Sequence, residues 1–218
     1  MIVLAIDTAA SGCFACVFDS GKQLVLSTAG EEIGRGHAER LMDVIDAALL
    51  AARIELCDVD RIAVTIGPGS FTGVRVGVAA ARGLGLALAV PVVGISTLAA
   101  LALAHADQGA TASFLVAIDA RRDEVYIQAF ATDGAALDDA AILALGDARA
   151  SAARFAAVTG SGAALLVEQP APRSDSPVDI VAVARLGALA DPRSAAPKPL
   201  YLRGPDAKPQ AGFAIARV

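Results

Sequence analysis

Apolar positions along the chain follow two periods. In residues 37–52, Leu41, Val44, Ile45, Ala48, Leu49 and Ala52 fall three or four apart, which puts them on one face of a helix. Residues 72–89 predict a second helix. Short apolar runs at 2–6, 12–18, 23–27, 62–66 and 90–95 read as strands. Ser96 or Thr97 then caps a third helix. Further on, strands are expected at 116–118, 125–130 and 156–159. Helices are expected near 146–155 and over 176–190, the last with Ser176 as N-cap and Pro177 in its first turn. The loops 170–176 and 191–199 are Pro-rich, and the tail after Arg203 has the composition of a mobile end.

Within this pattern lies an echo. Leu4-Ala5-Ile6-Asp7 returns as Val116-Ala117-Ile118-Asp119, 112 positions later. Each copy continues through small or polar residues into a second strand and then a turn, Asp19-Ser20-Gly21 in one and Thr132-Asp133-Gly134 in the other. The repeat predicts duplication into two lobes, residues 1–105 and 106–203, with 204–218 as a flexible tail. Strands alternating with helices after a meander give mixed sheets covered by helices, an α/β fold.

Composition narrows the reading. Of 218 residues 56% are hydrophobic, but 51 are Ala and only 4% aromatic, so small side chains supply much of the apolar count. Residues 83–104 carry no charge over a length that would span a bilayer. Pro91, Gly94, Ser96 and Thr97 break that stretch into helix, strand and helix, which favours a soluble core. The N-terminus has no basic residue before its apolar run and reads as a strand, not a signal peptide. A net charge of -5 argues against a solitary nucleic-acid binder, because Lys and Arg make most phosphate contacts. Three cysteines without secretory context suit a reducing cytoplasm. Cys13 and Cys16 have redox spacing, yet on a strand they point to opposite faces, and no second ligand pair exists for a metal.

The sequence from Gly67 to Gly73 (GPGSFTG) leaves a strand and opens a helix. Gly67, Gly69, Ser70 and Thr72 are placed either to cradle a phosphate or to make a tight turn that caps the helix. A P-loop is excluded because Val74 stands where Lys is needed, and Thr72 replaces the third glycine of a dinucleotide fingerprint. Behind the loop, Gly73, Gly77, Ala81 and Gly85 form a stripe without bulk, flanked by Val74, Val78 and Leu84. Such a stripe faces either the protein's own sheet or a closely docked subunit. Asp7 and Asp119 open equivalent turns; each either lines a cleft or binds the turn that follows.

Taken together, Ala5-Ile6-Asp7-Thr8-Ala9, the Gly67–Arg75 run GPGSFTGVR, Gly94-Ile95-Ser96-Thr97-Leu98, Ala117-Ile118-Asp119-Ala120-Arg121 and Tyr201-Leu202-Arg203 resemble the bacterial TsaB (YeaZ) family across the whole chain. The resemblance implies a bilobal actin/Hsp70/sugar-kinase (ASKHA) fold of two RNase H-like lobes with sheets of the five-stranded type. It implies a non-catalytic subunit in the making of N6-threonylcarbamoyladenosine at position 37 of ANN-decoding tRNAs. The partners implied are a TsaD-like transferase and a TsaE-like ATPase, with self-association through the same helical face and tRNA met only through the complex. Carried onto this chain, the contact surface would involve His37, Leu41, Val44, Ile45, Val74, Gly77, Val78 and Ala81. No catalytic residue, metal or cofactor is expected on the chain alone, although ATP or ADP is compatible with the complex. The competing expectation is an ASKHA kinase or ATPase with Asp7, Asp119 and the glycine loop around its nucleotide. The loop after Asp7 (Thr8-Ala9-Ala10-Ser11) lacks the glycine pattern of active ASKHA kinases.

Overall fold

A computed structural model describes residues 1–34, 36–167 and 178–203. Its first sheet begins as an antiparallel meander of β1 (Ile2–Asp7), β2 (Gly12–Asp19) and β3 (Leu24–Glu32). β3 outruns the predicted 23–27 because its pairing with β2 continues until Gly12 meets Glu32. α1 (His37–Ala52), β4 (Arg61–Thr65), α2 (Phe71–Leu88), β5 (Val92–Ile95) and α3 (Thr97–Asp107) follow. β4 and β5 join parallel beyond β1, giving the order β3-β2-β1-β4-β5. Ser96 is the N-cap of α3 by position, though its hydroxyl makes no capping bond.

The central strands are apolar on both faces, as strands covered on both sides must be. Leu4, Ile6, Ile62 and Val64 meet Leu41 and Ile45 of α1 and Val74 and Val78 of α2. On the opposite face, Val3, Ala5, Ala63 and Val93 meet Ala100 of α3 and Val183 and Ala184 of α6 (Ile180–Leu189). Cys13 falls in the first cluster and Cys16 in the second, on opposite faces of β2. Burial pushes their thiols up to about 11 and about 12.

β6 (Phe114–Arg121), β7 (Glu124–Phe130), β8 (Ala141–Ala144) and β9 (Val158–Thr159) form the second sheet in the order β8-β7-β6-β9. β6, β7 and β8 repeat the meander of the first lobe, and β9 lies parallel to β6 as β4 does to β1. α4 (Leu145–Ala152) and α5 (Ala163–Leu166) accompany this sheet. The expectation of five-stranded sheets is corrected here: the second sheet has four strands among the described residues. The apolar segment after α5 is the helix α6, which crosses back to the first sheet. It packs so closely there that a Cβ on Gly187 would lie 2.2 Å from Ala63 Cβ. Arg61 caps α6 by donating to the carbonyls of Gly187, Ala188 and Ala190.

Asp179 caps the start of α6, accepting from Val181 N at 2.9 Å, so the helix begins later than 176. Ser176, Pro177 and the 204–218 tail lie outside the described residues. α3 bridges the lobes, with Leu98 and Ala102 packed among Phe114, Val116, Ile118 and Phe130. The uncharged stretch 83–104 resolves into the end of α2, β5 and the start of α3. α2 is long and apolar enough to cross a membrane by length and composition. In the fold its Gly73, Gly77, Ala81 and Gly85 side lies buried, against Thr8, Val64 and Val92.

Candidate functional site

Asp7 ends β1 fully buried. Its Oδ1 accepts from Ala9 N at 3.0 Å and from Thr65 Oγ1 at 2.6 Å, while Oδ2 has no partner among the described residues. Burial raises its pKa above the ordinary carboxylate value, against the lowering effect of the Thr65 bond. Asp119 occupies the matching place on β6. Its Oδ1 accepts from Arg121 N at 2.7 Å, and its Oδ2 pairs with the Arg121 guanidinium at 3.0 Å. Both carboxylates therefore bind the residue two positions on, the turn-holding role.

The glycine loop closes on the β1–β2 turn. Ser70 N donates to Ala9 O at 2.7 Å, and a Cβ on Gly69 would lie 2.2 Å from that same oxygen. Thr8 Oγ1 donates to Gly73 O at 2.7 Å, and a Cβ on Gly73 would lie 2.0 Å from Thr8 O. Gly67 has φ of 95° and precedes a cis Pro68, a backbone conformation that glycine accommodates without strain. Ser70 is the N-cap of α2, accepting from Gly73 N at 3.2 Å, and Thr72 is exposed in the first turn. Close backbone packing and helix capping thus engage Gly69, Ser70 and Gly73.

The residues carried over as a partner surface lie elsewhere than expected. His37, Leu41, Val44, Ile45, Val74, Gly77, Val78 and Ala81 are all buried in the first lobe. The His37 ring nitrogen Nε2 sits 3.2 Å from Ala10 O. A Cβ on Gly77 would lie 2.4 Å from Thr8 Oγ1, and one on Gly85 2.2 Å from Val92 Cγ2. Of the two readings the sequence left open, the small-residue stripe faces the chain's own sheet, and the eight side chains are core positions. A 3.6-residue period marks a buried face but cannot say what buries it.

Those helices turn a different set of residues outward. Phe71, Arg75, Ala79, Gly83 and Leu86 run down one exposed side of α2, with Phe71 60% and Leu86 86% exposed. α1 adds Met42 and Leu50, the latter 80% exposed. Among the described residues, nothing lies within 4 Å of where a Gly83 Cβ would be, and no contact there explains this mid-helix glycine. The signal was present as the opposite half of the same helical wheel.

Distant motifs also converge. The Arg75 guanidinium lies 3.5 Å from the Phe71 ring centroid, and its Nε donates to Tyr201 Oη at 2.8 Å. Arg203 donates to Ala120 O at 3.0 Å and pairs with Glu124. Among the described residues, no group of three or more His, Cys, Asp or Glu side chains is placed to hold a metal ion.

The model of the tRNA N6-adenosine threonylcarbamoyltransferase family, TsaD, matches residues 18–169. An uncharacterized protein of Mycobacterium tuberculosis is 38% identical over 211 residues, covering 96% of this chain and 95% of that one. The tRNA threonylcarbamoyladenosine biosynthesis protein TsaB of Escherichia coli is 35% identical over 126 residues, 58% of this chain and 53% of that protein. That alignment thus spans about half the E. coli protein. The solved structure of YeaZ from Pseudomonas aeruginosa superposes with a TM-score of 0.69 at 29% identity, over 92% of this chain and 99% of that one.

Proposed function

The chain belongs to the bacterial TsaB/YeaZ family, and we propose that it acts as a non-catalytic subunit of the complex that installs N6-threonylcarbamoyladenosine on tRNA. Its work is to pair with a TsaD-like transferase. The single observation that carries the non-catalytic reading is the closed glycine loop. Ser70 N is committed to Ala9 O and Gly73 N to Ser70 Oγ, Gly69 and Gly73 pack on the Thr8–Ala9 backbone, and Asp7 is buried beneath. A kinase needs those amides and that carboxylate directed at a nucleotide and its metal.

The partner surface in this reading is the outward face of the same two helices: Met42 and Leu50 of α1, with Ala79, Gly83 and Leu86 of α2. An exposed glycine with no contact among the described residues suits close approach of another helix. The same face would serve self-association when the transferase is absent. A TsaE-like ATPase joins the pair, modification falls at position 37 of ANN-decoding tRNAs, and tRNA is met through the complex, in the cytoplasm. The first lobe then consists of residues 1–105 together with α6, and the second of the four-stranded sheet with α4 and α5.

Depletion of the protein in its host, followed by mass spectrometry of tRNA nucleosides, tests this assignment. Loss of threonylcarbamoyladenosine is expected, and unchanged levels would overturn it. Calorimetry with Mg-ATP on the isolated chain should show no turnover; hydrolysis would favour the ASKHA-enzyme alternative.

A further inference from the structure

The segment 199–203 touches both lobes within five residues. Leu200 N donates to Ile66 O at 2.8 Å, just before the glycine loop. Tyr201 reaches the start of α2, where its hydroxyl accepts from Arg75 and its ring lies 5.9 Å from that of Phe71. Two residues later Arg203 crosses to the β6–β7 hairpin of the second lobe. There its guanidinium donates to Ala120 O at 3.0 Å and Arg121 O at 3.4 Å, and pairs with Glu124.

The hairpin it grips is strained. Arg121, Arg122 and Asp123 all have positive φ, at 62°, 56° and 59°, which is unfavourable for three consecutive non-glycine residues. The lobes are also joined by α3, which packs on the second sheet and on α6 and carries the Asp107–Arg185 pair. Among the described residues, segment 199–203 thus adds a second contact between the lobes.

We propose that segment 199–203 is an interlobe latch: Tyr201 fastens it to the α2 N-terminus, Arg203 fastens it to the strained hairpin, and together they set the angle between the lobes. The guanidinium suits the hairpin end, because its planar fork serves carbonyls and a carboxylate at once. The Tyr201 end is the releasable one, being 52% exposed and held by one hydrogen bond and ring contacts. The inference stands on these contacts and does not depend on the identity of the partner.

Cys57 offers a native labelling site in the first lobe, since it is exposed while Cys13 and Cys16 are buried. With a second spin label at Thr132→Cys in the second lobe, the intact protein should give one narrow interlobe distance. Arg203→Met should broaden or shift it, and the amides of residues 119–125 should exchange roughly tenfold faster or more, the scale expected when a charge-assisted hydrogen bond is lost. Glu124→Gln, which removes only the ion pair, should loosen the hairpin less, and Arg203→Lys should fall between wild type and Arg203→Met. A folded Arg203→Met protein with unchanged distances and unchanged hairpin exchange would overturn the latch, as would a folded Tyr201→Ala protein whose interlobe distance stays as narrow as that of wild type.

Discussion

Gly77 of α2 and Thr8 after β1 are in such close approach that a Cβ on the glycine would lie 2.4 Å from Thr8 Oγ1. That oxygen is not free to move aside, since it is buried and donates to Gly73 O at 2.7 Å. The small-residue stripe therefore secures the contact between α2 and the β1–β2 turn, and its loss is a matter of folding before it is one of assembly.

Gly77→Ala is expected to destabilise the isolated chain by about 1–3 kcal/mol, the usual range for overpacking a filled core. The higher intrinsic helix propensity of Ala, about 1 kcal/mol, would offset part of that cost. Denaturant unfolding of the purified variant reads the difference directly. A midpoint equal to or above wild type would show that displacing Thr8 costs no more than the gain in helix propensity, and that the close contact is a weak constraint.

Gly83 predicts the opposite sign on the same helix. With nothing near its missing Cβ, Gly83→Ala should stabilise the isolated chain by up to about 1 kcal/mol through helix propensity alone. Gly83→Leu and Leu86→Asp should leave the fold intact, measured by circular dichroism, while preventing co-purification with the TsaD-like partner. Normal pairing by both variants would remove the outward face of α2 from the interface.

These two glycines show where the sequence was legible and where it was not. Strand and helix periods located α1 to its ends and α2 to within a residue, and the Asp7/Asp119 echo anticipated the repeated meander. Local chemistry placed Cys13 and Cys16 on opposite faces, as strand alternation requires. The orientation of α2 was not accessible, because Gly77 and Gly83 look alike until the sheet beneath one of them is known. Nor was the return of α6 to the first sheet, since a helix's apolar face does not name the sheet that covers it. The pairing of Tyr201 with Arg75, and of Arg203 with Ala120, joins residues far apart in the chain, with no period to announce it.

Thiol reactivity gives a third test. Burial holds the Cys13 thiol up at about 11 and Cys16 at about 12, whereas Cys57 is exposed, with its pKa raised chiefly by its bond to the Glu55 carboxylate. Only thiolate reacts at useful rates, and only where reagent can enter. Native protein treated with iodoacetamide at mildly alkaline pH should gain one adduct by intact mass, on Cys57 and more slowly than a free thiol. The urea-unfolded chain should gain three. Native modification of Cys13 or Cys16 would mean that β2 opens readily.

Asp7 makes the stability of the first lobe depend on pH in an unusual direction. Its folded pKa is raised by burial, with Glu32 adding to the rise and Thr65, Ala9 and His37 opposing it. The unfolded chain releases this proton near the ordinary carboxylate value of about 4, while the folded chain retains it to higher pH. Between those two values the native state binds more protons, so this group's contribution to stability falls as pH rises and levels off above the folded pKa. Asp19 and Asp191, whose pKa values are lowered by hydrogen bonds, act in the other direction and lose their contribution as pH falls. The informative quantity is therefore the difference between wild type and Asp7→Asn, whose amide stays neutral and can still accept from Thr65 and Ala9. That difference should move in favour of the variant as pH is raised from about 4 towards 7, with the unpartnered Oδ2 position occupied by an uncharged group instead of a buried anion. Denaturant midpoints of the two proteins across this range supply the measurement. A pH-independent difference would mean that Asp7 titrates alike in the folded and unfolded chain, and that its burial exerts no effect on its ionisation.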